Sequence, residues 1–127
     1  MRIGTRQGER GSSLVEMVVV VPLLLLVMAG VVDLGRAYFV SIKVIDAARA
    51  GARYGVTNPV GAEMCASAMA EAENLPLSVT LSCSANPGTG SGTPAKVTVS
   101  CNFPMIMGGW VGTSSIPISH TAAFRVR

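Results

Sequence analysis

The sequence predicts an α+β fold, in which a long N-terminal membrane-spanning α-helix is followed by a short helix and a small antiparallel sheet of about three strands. The first observation is an uncharged run, Met17–Val32, within a segment of 19 residues, 14–32, close to the roughly 20 that cross a bilayer as a helix. The second is a change of period. Beyond Pro76 apolar residues alternate with polar ones, as they do in half-buried strands.

Helical features continue well past the apolar run. We expect the helix to begin at Ser12 or Ser13 and to reach Tyr54, a length of about 65 Å, of which the bilayer takes roughly 30 Å. About half of the helix should therefore project beyond the membrane. Pro22 lacks a backbone N–H, so we expect a kink there, which membrane helices tolerate.

The organisation predicted from these features has three parts. Residues 1–11 form a basic, flexible leader peptide, residues 12–56 the long helix with its transmembrane part at 14–32, and residues 57–127 a small α+β extracytoplasmic domain. Three basic residues precede the span: Arg2, Arg6 and Arg10. By the positive-inside rule, basic residues that flank a membrane span lie on its cytoplasmic side. The N-terminus is thus expected in the cytoplasm and the domain outside it.

The small domain begins with a predicted helix at 61–73, whose narrow apolar face contains Met64, Ala68 and Ala72. Two strands follow in "LSVTLSC" and "AKVTVSCNF", separated by the Gly/Pro/Ser loop "SANPGTGSGTP". A third strand is predicted in "SIPISHTAAFRV". The apolar face of this sheet must pack on another element, most simply on the part of the long helix outside the membrane.

Three cysteines lie in the predicted extracytoplasmic part, where a disulfide is permitted. A hairpin that places Cys83 opposite Cys101 keeps the apolar side chains on one face and leaves a loop of about nine residues. A Cys83–Cys101 bridge is slightly favoured on that ground. Cys65 on the short helix is the alternative partner, and spacing alone does not choose between them.

Composition and charge exclude several classes of function. Half of the residues are hydrophobic and 13% are charged, and of the net charge of +3 the leader contributes +2, which leaves no basic patch for nucleic acid. The single histidine, His120, lies in a predicted strand, and the acidic residues form no close acid–base pair. The cysteines lack the close spacing of metal ligands. We therefore expect neither catalysis nor a bound metal or cofactor.

Glu16 is a carboxylate at the start of the apolar segment and needs an explanation. Ser13 and Glu16 fit a capping box, and the helix dipole favours an acid in the first turn. The alternative is that Glu16 meets a cation. A cut between Gly11 and Ser12 would create one, since the new α-amine would lie four residues before the carboxylate.

The segments "RGSSLVEMVVVVPLLLL", "GVVDLGRAYFV" and "AARAGARYG" resemble the TadE-like minor pilins, or pseudopilins, of the tight-adherence (Tad/Flp) branch of type IV pili. The resemblance extends from Arg10 to Gly55 and includes Gly11, Glu16 and Pro22. It implies cleavage by a prepilin peptidase between Gly11 and Ser12. It also implies that Glu16 acts in subunit recruitment and filament order.

The same resemblance implies a role in assembling a Tad/Flp pilus that supports adhesion. The implied partners are the prepilin peptidase, other pilin-like subunits, the inner-membrane assembly platform and membrane lipid. The chain would be a single-pass protein of the inner membrane that can enter the extracellular pilus. The alternative is a secreted soluble binding domain released by general signal peptidase after Ala29, where small residues suit that enzyme.

Overall fold

The structure, a computed structural model, describes residues 7–73, 75, 79–89 and 92–125, and the side chains of residues 7–10, 110 and 111 are not considered. Helices and strands follow one another in this order: α1 Gln7–Thr57, α2 Gly61–Glu71, β1 Thr80–Asn86, β2 Pro94–Pro104, α3 Gly108–Val111 and β3 Ser115–Arg125. The predicted fold class, a long helix, a short helix and a three-stranded antiparallel sheet, is confirmed.

Helix α1 is longer than predicted at its N-terminal end. It begins at Gln7, inside the predicted leader, and continues without interruption through Pro22 to Thr57, a length of 51 residues. The residues before Ser12 include no proline, so the backbone N–H groups that the helix needs are all present there. The predicted helix start at Ser12 or Ser13 was wrong, and the predicted kink at Pro22 stays a prediction.

The sheet has the order β1-β2-β3, with both neighbouring pairs antiparallel. The central strand β2 carries the clearest alternation: Ala95, Val97, Val99, Cys101 and Phe103 are buried, and the residues between them are more exposed. This buried face packs against α1, as predicted, and α2 packs beside it on α1 and β1.

Two glycines let α2 approach α1 closely. A Cβ added to Gly51 would lie 2.6 Å from the backbone oxygen of Met64 and 3.3 Å from Val97 Cγ1. At Gly55 the added carbon would meet the Met64 side chain and, at 3.2 Å, Ala95. Because real Cβ atoms do not approach backbone so closely, α2 could not keep its position if Gly51 carried a side chain.

The register of the β1–β2 hairpin differs from the predicted one by two residues. Cys83 lies opposite Val99, and Leu81 lies opposite Cys101. Residues 87–93 join the two strands, and Gly88 and Gly92 have positive φ values of 74° and 90°. Counted between the last paired residues, Asn86 and Lys96, the loop has nine residues, as predicted. A shift of two residues leaves each side chain on the same face of the sheet, so the apolar pattern is equally satisfied.

The predicted Cys83–Cys101 disulfide was wrong, because the register does not place these residues opposite each other. The structure contains the alternative bridge, Cys65–Cys83, which joins α2 to β1 across a Cα–Cα distance of 5.8 Å. It closes a loop with a sequence separation of 18 residues. In the chain-entropy treatment a loop of this size stabilises a fold by about 3 kcal/mol.

Cys101 is the free cysteine, and it is buried on the face of β2 that packs into the core. Burial away from water raises the pKa of its thiol. The thiolate is the reactive form of cysteine, so the Cys101 side chain behaves as a small apolar core residue.

A non-reducing tryptic digest tests the bridge directly. No lysine or arginine lies between Arg53 and Lys96, so Cys65 and Cys83 share the peptide of residues 54–96, and Cys101 lies in the peptide of residues 97–125. We expect the first peptide with an internal disulfide and the second with a free thiol, by mass spectrometry. Two covalently joined peptides would contradict the Cys65–Cys83 bridge.

Candidate functional site

The N-terminal half of α1 presents apolar side chains that nothing else in the described chain covers. Its most apolar window has a mean hydropathy of 2.7 and no residue of it is buried. Large side chains here are about half to two-thirds exposed, for example Leu14 at 66% and Leu23 at 65%. By length and composition this helix is a candidate membrane span, and burial of its apolar area must come from outside the domain.

Gly11, Ser12 and Glu16 all lie on this exposed part of α1. Ser13 is inside the helix and not at its N-cap position, since α1 begins at Gln7. The capping-box explanation of Glu16 is therefore wrong for the uncut chain. Glu16 stands one turn from Ser12, on the same side of the helix.

Gly11 has no packing reason to be glycine. A Cβ added there would meet nothing within 4 Å. Glycine in a helix interior is less favourable than alanine by about 1 kcal/mol, so α1 unwinds more easily at this position than at its neighbours. A residue that weakens the helix without serving its packing is compatible with recognition by another protein.

Asp33 is the first charged residue after the apolar run, and it is buried, with 3% of its side chain exposed. Its Oδ1 accepts a hydrogen bond from the backbone N–H of Ile106 at 3.2 Å, and its Oδ2 accepts one from that of Met107 at 2.9 Å. Arg36 Nη1 lies 3.5 Å from Oδ1. These donors compensate the cost of burying the carboxylate.

The Arg36 guanidinium also lies over the ring of Phe103, with Cζ 5.2 Å from the ring centroid. Phe103 is the last buried residue of β2 and is 1% exposed. One arginine thus contacts the carboxylate on α1 and the aromatic ring at the end of the central strand. Arg36 and Asp33 together hold the end of β2, and the β2–β3 connection after it, against α1.

These contacts define the direction of the domain relative to α1. The residues after β2 meet Asp33, whereas Val97 and Ala95 near the start of β2 meet Gly51 and Gly55. Strand β2 therefore runs antiparallel to α1. The β2–β3 connection lies beside the apolar segment, and the β1–β2 hairpin tip lies at the far end.

Sequence reasoning placed Asp33 and Arg36 on a polar stripe and missed their role. The i, i+3 spacing of an acid and an arginine directly after an uncharged run was visible. The partner of the carboxylate, however, is the backbone of residues more than 70 positions later. Every residue except proline has a backbone N–H, so the sequence does not identify which of them donates to Asp33.

The described fold defines a protein with one candidate membrane helix that carries a small α+β domain at its C-terminal half. The sequence model of the family described as TadE-like protein matches residues 11–53, which lie entirely within α1. The match covers about a third of the chain and confirms the predicted resemblance. No curated protein and no solved structure matches the chain at a significant level.

Replacing Asp33 by asparagine tests the junction. The amide nitrogen cannot accept the hydrogen bond from Ile106 or Met107, and one buried donor is left unpaired, at a cost of about 1–3 kcal/mol. We expect amide hydrogen exchange at residues 105–107 to accelerate by about 5- to 150-fold, in the full chain in detergent micelles.

The matched control is Asp46→Asn, which removes an exposed carboxylate from the same helix. It should leave exchange at residues 105–107 unchanged. Equal exchange in the Asp33→Asn variant and the parent chain would show that the carboxylate does not hold the connection.

Proposed function

We propose that the protein is a pilin-like subunit, a minor pilin or pseudopilin, that supports assembly of a Tad/Flp pilus and thereby adhesion. Its contribution is structural. Helix α1 packs among the helices of other pilin-like subunits, and the small domain is carried outside the membrane. The match of residues 11–53 to the TadE-like family supports this proposal.

The observation that carries the proposal is the length of the exposed apolar surface. Exposed large apolar side chains continue past the predicted span to Tyr38, Phe39 and Ile42, which are 70%, 49% and 40% exposed. From Leu14 to Ile42 this surface extends about 42 Å, whereas the hydrocarbon core of a bilayer is about 30 Å thick. The part of this apolar surface that extends beyond the bilayer needs to be buried against something else, and the helices of neighbouring subunits provide an apolar surface for it.

Cleavage after Gly11 by a prepilin peptidase gives Glu16 its role. A new α-amine on Ser12 is unfavourable at the positive end of the helix dipole. The Glu16 carboxylate, four residues later, neutralises it, either within one chain or between neighbouring subunits. In the water-poor interior of a helix assembly such a pair is much stronger than in water.

The proposed location is the inner membrane, with residues 14–32 as the span, residues 1–11 as a cytoplasmic leader and residues 57–127 outside. The proposed partners are the prepilin peptidase, other pilin-like subunits, the inner-membrane assembly platform and membrane lipid. From this location the processed chain can be incorporated into the extracellular pilus.

N-terminal analysis and intact mass of the protein from native membranes test the processing step. We expect the mature chain to begin at Ser12. A Gly11→Val variant should remain uncut, because a branched side chain replaces the glycine at the cleavage site. An Ala29→Leu variant is the matched control, since it disrupts only the general signal peptidase site and should still begin at Ser12.

A mature chain beginning at Gly30, lost in the Ala29→Leu variant, would support the secreted domain and contradict the pilin-like function. A Glu16→Gln variant then tests assembly separately from cleavage. It should also begin at Ser12, but pili counted by electron microscopy should fall at least about tenfold, since losing one partner of a desolvated charge pair costs about 2–5 kcal/mol. Unchanged pilus numbers would contradict the pairing role.

A further inference from the structure

The two ends of the sheet differ in chemistry. The β1–β2 connection, at the end far from the apolar segment, contains only Pro, Gly, Ser and Thr. The β2–β3 connection, beside that segment, reads "MIMGGWVGTS", with eight residues other than Thr and Ser at its start, and Ile106 in it is 62% exposed. The end of the sheet nearer the proposed membrane therefore exposes an apolar side chain, and the end farther from it is polar. This is the distribution expected if the nearer end contacts the bilayer.

A groove lies between this connection and α1, with a volume of about 530 Å³. One wall is formed by α1 and the other by the end of the sheet and the connection after it, and lining residues include Leu26, Gly30, Ala37, Met105, Met107 and Ile116. The α1 wall begins inside the predicted span and ends just past Asp33. The groove is thus continuous with the surface that the bilayer covers.

The groove has no free charge to repel a hydrocarbon. Asp33 reaches it, but its two carboxylate oxygens accept hydrogen bonds from Ile106 and Met107, and Arg36 lies beside it. The remaining lining residues are apolar. An apolar occupant therefore gains burial without leaving a polar partner unpaired.

The length and lining of the groove suit an extended hydrocarbon. Its α1 wall, from Leu26 to Ala37, is about 16 Å long. This wall begins inside the predicted span, where the neighbours of α1 would be acyl chains. An extended acyl chain, whose neighbours lie about 3.5–4 Å from its carbon atoms, would lie along it in apolar contact.

We propose that the β2–β3 connection is a second membrane contact, with Ile106 in the outer surface of the bilayer and a phospholipid acyl chain in the groove beside α1. The proposal rests on the membrane anchoring in the proposed function. With two contacts, α1 and the domain packed on it keep a fixed tilt against the bilayer, with the hairpin tip pointing away.

Fluorescence quenching by lipid tests the membrane contact in the full chain. The chain has one tryptophan, Trp110, so a Trp110→Phe background allows a single reporter to be placed elsewhere. Ile106→Trp puts it at the exposed apolar position, and Thr89→Trp, in the polar hairpin connection, is the matched control. The vesicles are phosphatidylcholine and phosphatidylglycerol, with or without bromine on the upper part of the acyl chains.

We expect bromine to reduce fluorescence of the Ile106→Trp chain and to leave that of the Thr89→Trp chain unchanged. Equal fluorescence of the Ile106→Trp chain in both kinds of vesicle, with the protein co-floating with them, would overturn the second contact and leave membrane anchoring intact. A chain that fails to co-float would overturn both.

Native mass spectrometry from detergent micelles tests the groove. Gly30 lines it, and a Cβ added there would meet nothing within 4 Å, so we expect Gly30→Leu to extend its side chain into the groove and to leave the fold intact. Gly35→Leu, at an exposed glycine with the same free space outside the groove, is the control.

The parent chain and the Gly35→Leu variant should retain a bound phospholipid, and the Gly30→Leu variant should lose it. Equal phospholipid retention by both leucine variants would overturn the acyl-chain site. So would a photo-crosslinker at Ile106 that captures another subunit in native membranes and no lipid, since the groove would then face a protein neighbour.

Discussion

The carboxylate of Asp33 connects two surfaces that need different environments. Before it, α1 exposes apolar side chains that the described domain leaves uncovered, and beyond it one face of the same helix is buried by α2 and the sheet. Without hydrogen bonds from Asp33 to Ile106 and Met107, the last strand connection would not be fixed at this boundary. The position of the β2–β3 connection at the end of the apolar segment depends on this one buried group.

Much of the fold could be predicted from the sequence because its periodicities are strong. The apolar run identified α1, and the alternation in Val97, Val99, Cys101 and Phe103 identified the buried face of β2. The helix start could not be predicted from Ser12 and Ser13. A serine acts as an N-cap only when the residues before it are not helical, and here they are helical. The hairpin register could not be fixed either, because a two-residue shift preserves every face.

The same ambiguity of register explains the wrong disulfide. With Cys83 opposite Cys101 the sequence would form a bridge within the hairpin, whereas with Cys83 opposite Val99 its sulfur is available to Cys65 on α2. How closely α2 lies against α1 depends on Gly51 and Gly55, and a glycine in a sequence does not identify the backbone that approaches it. Long-range backbone contacts of this kind, like those of Asp33, appear only in three dimensions.

The central claim is that lipid surrounds the first part of α1 and that the domain packs on the second part. Hydrogen exchange of the full chain in lipid nanodiscs, with increasing urea, tests this claim most directly. We expect amides of residues 14–32 to stay protected at all urea concentrations below disruption of the bilayer, because lipid excludes water from them. Amides of residues 37–57 should become exposed together with β2, because the domain protects them. Residues 14–32 exchanging as fast as the hairpin connection, or losing protection together with β2, would contradict the account.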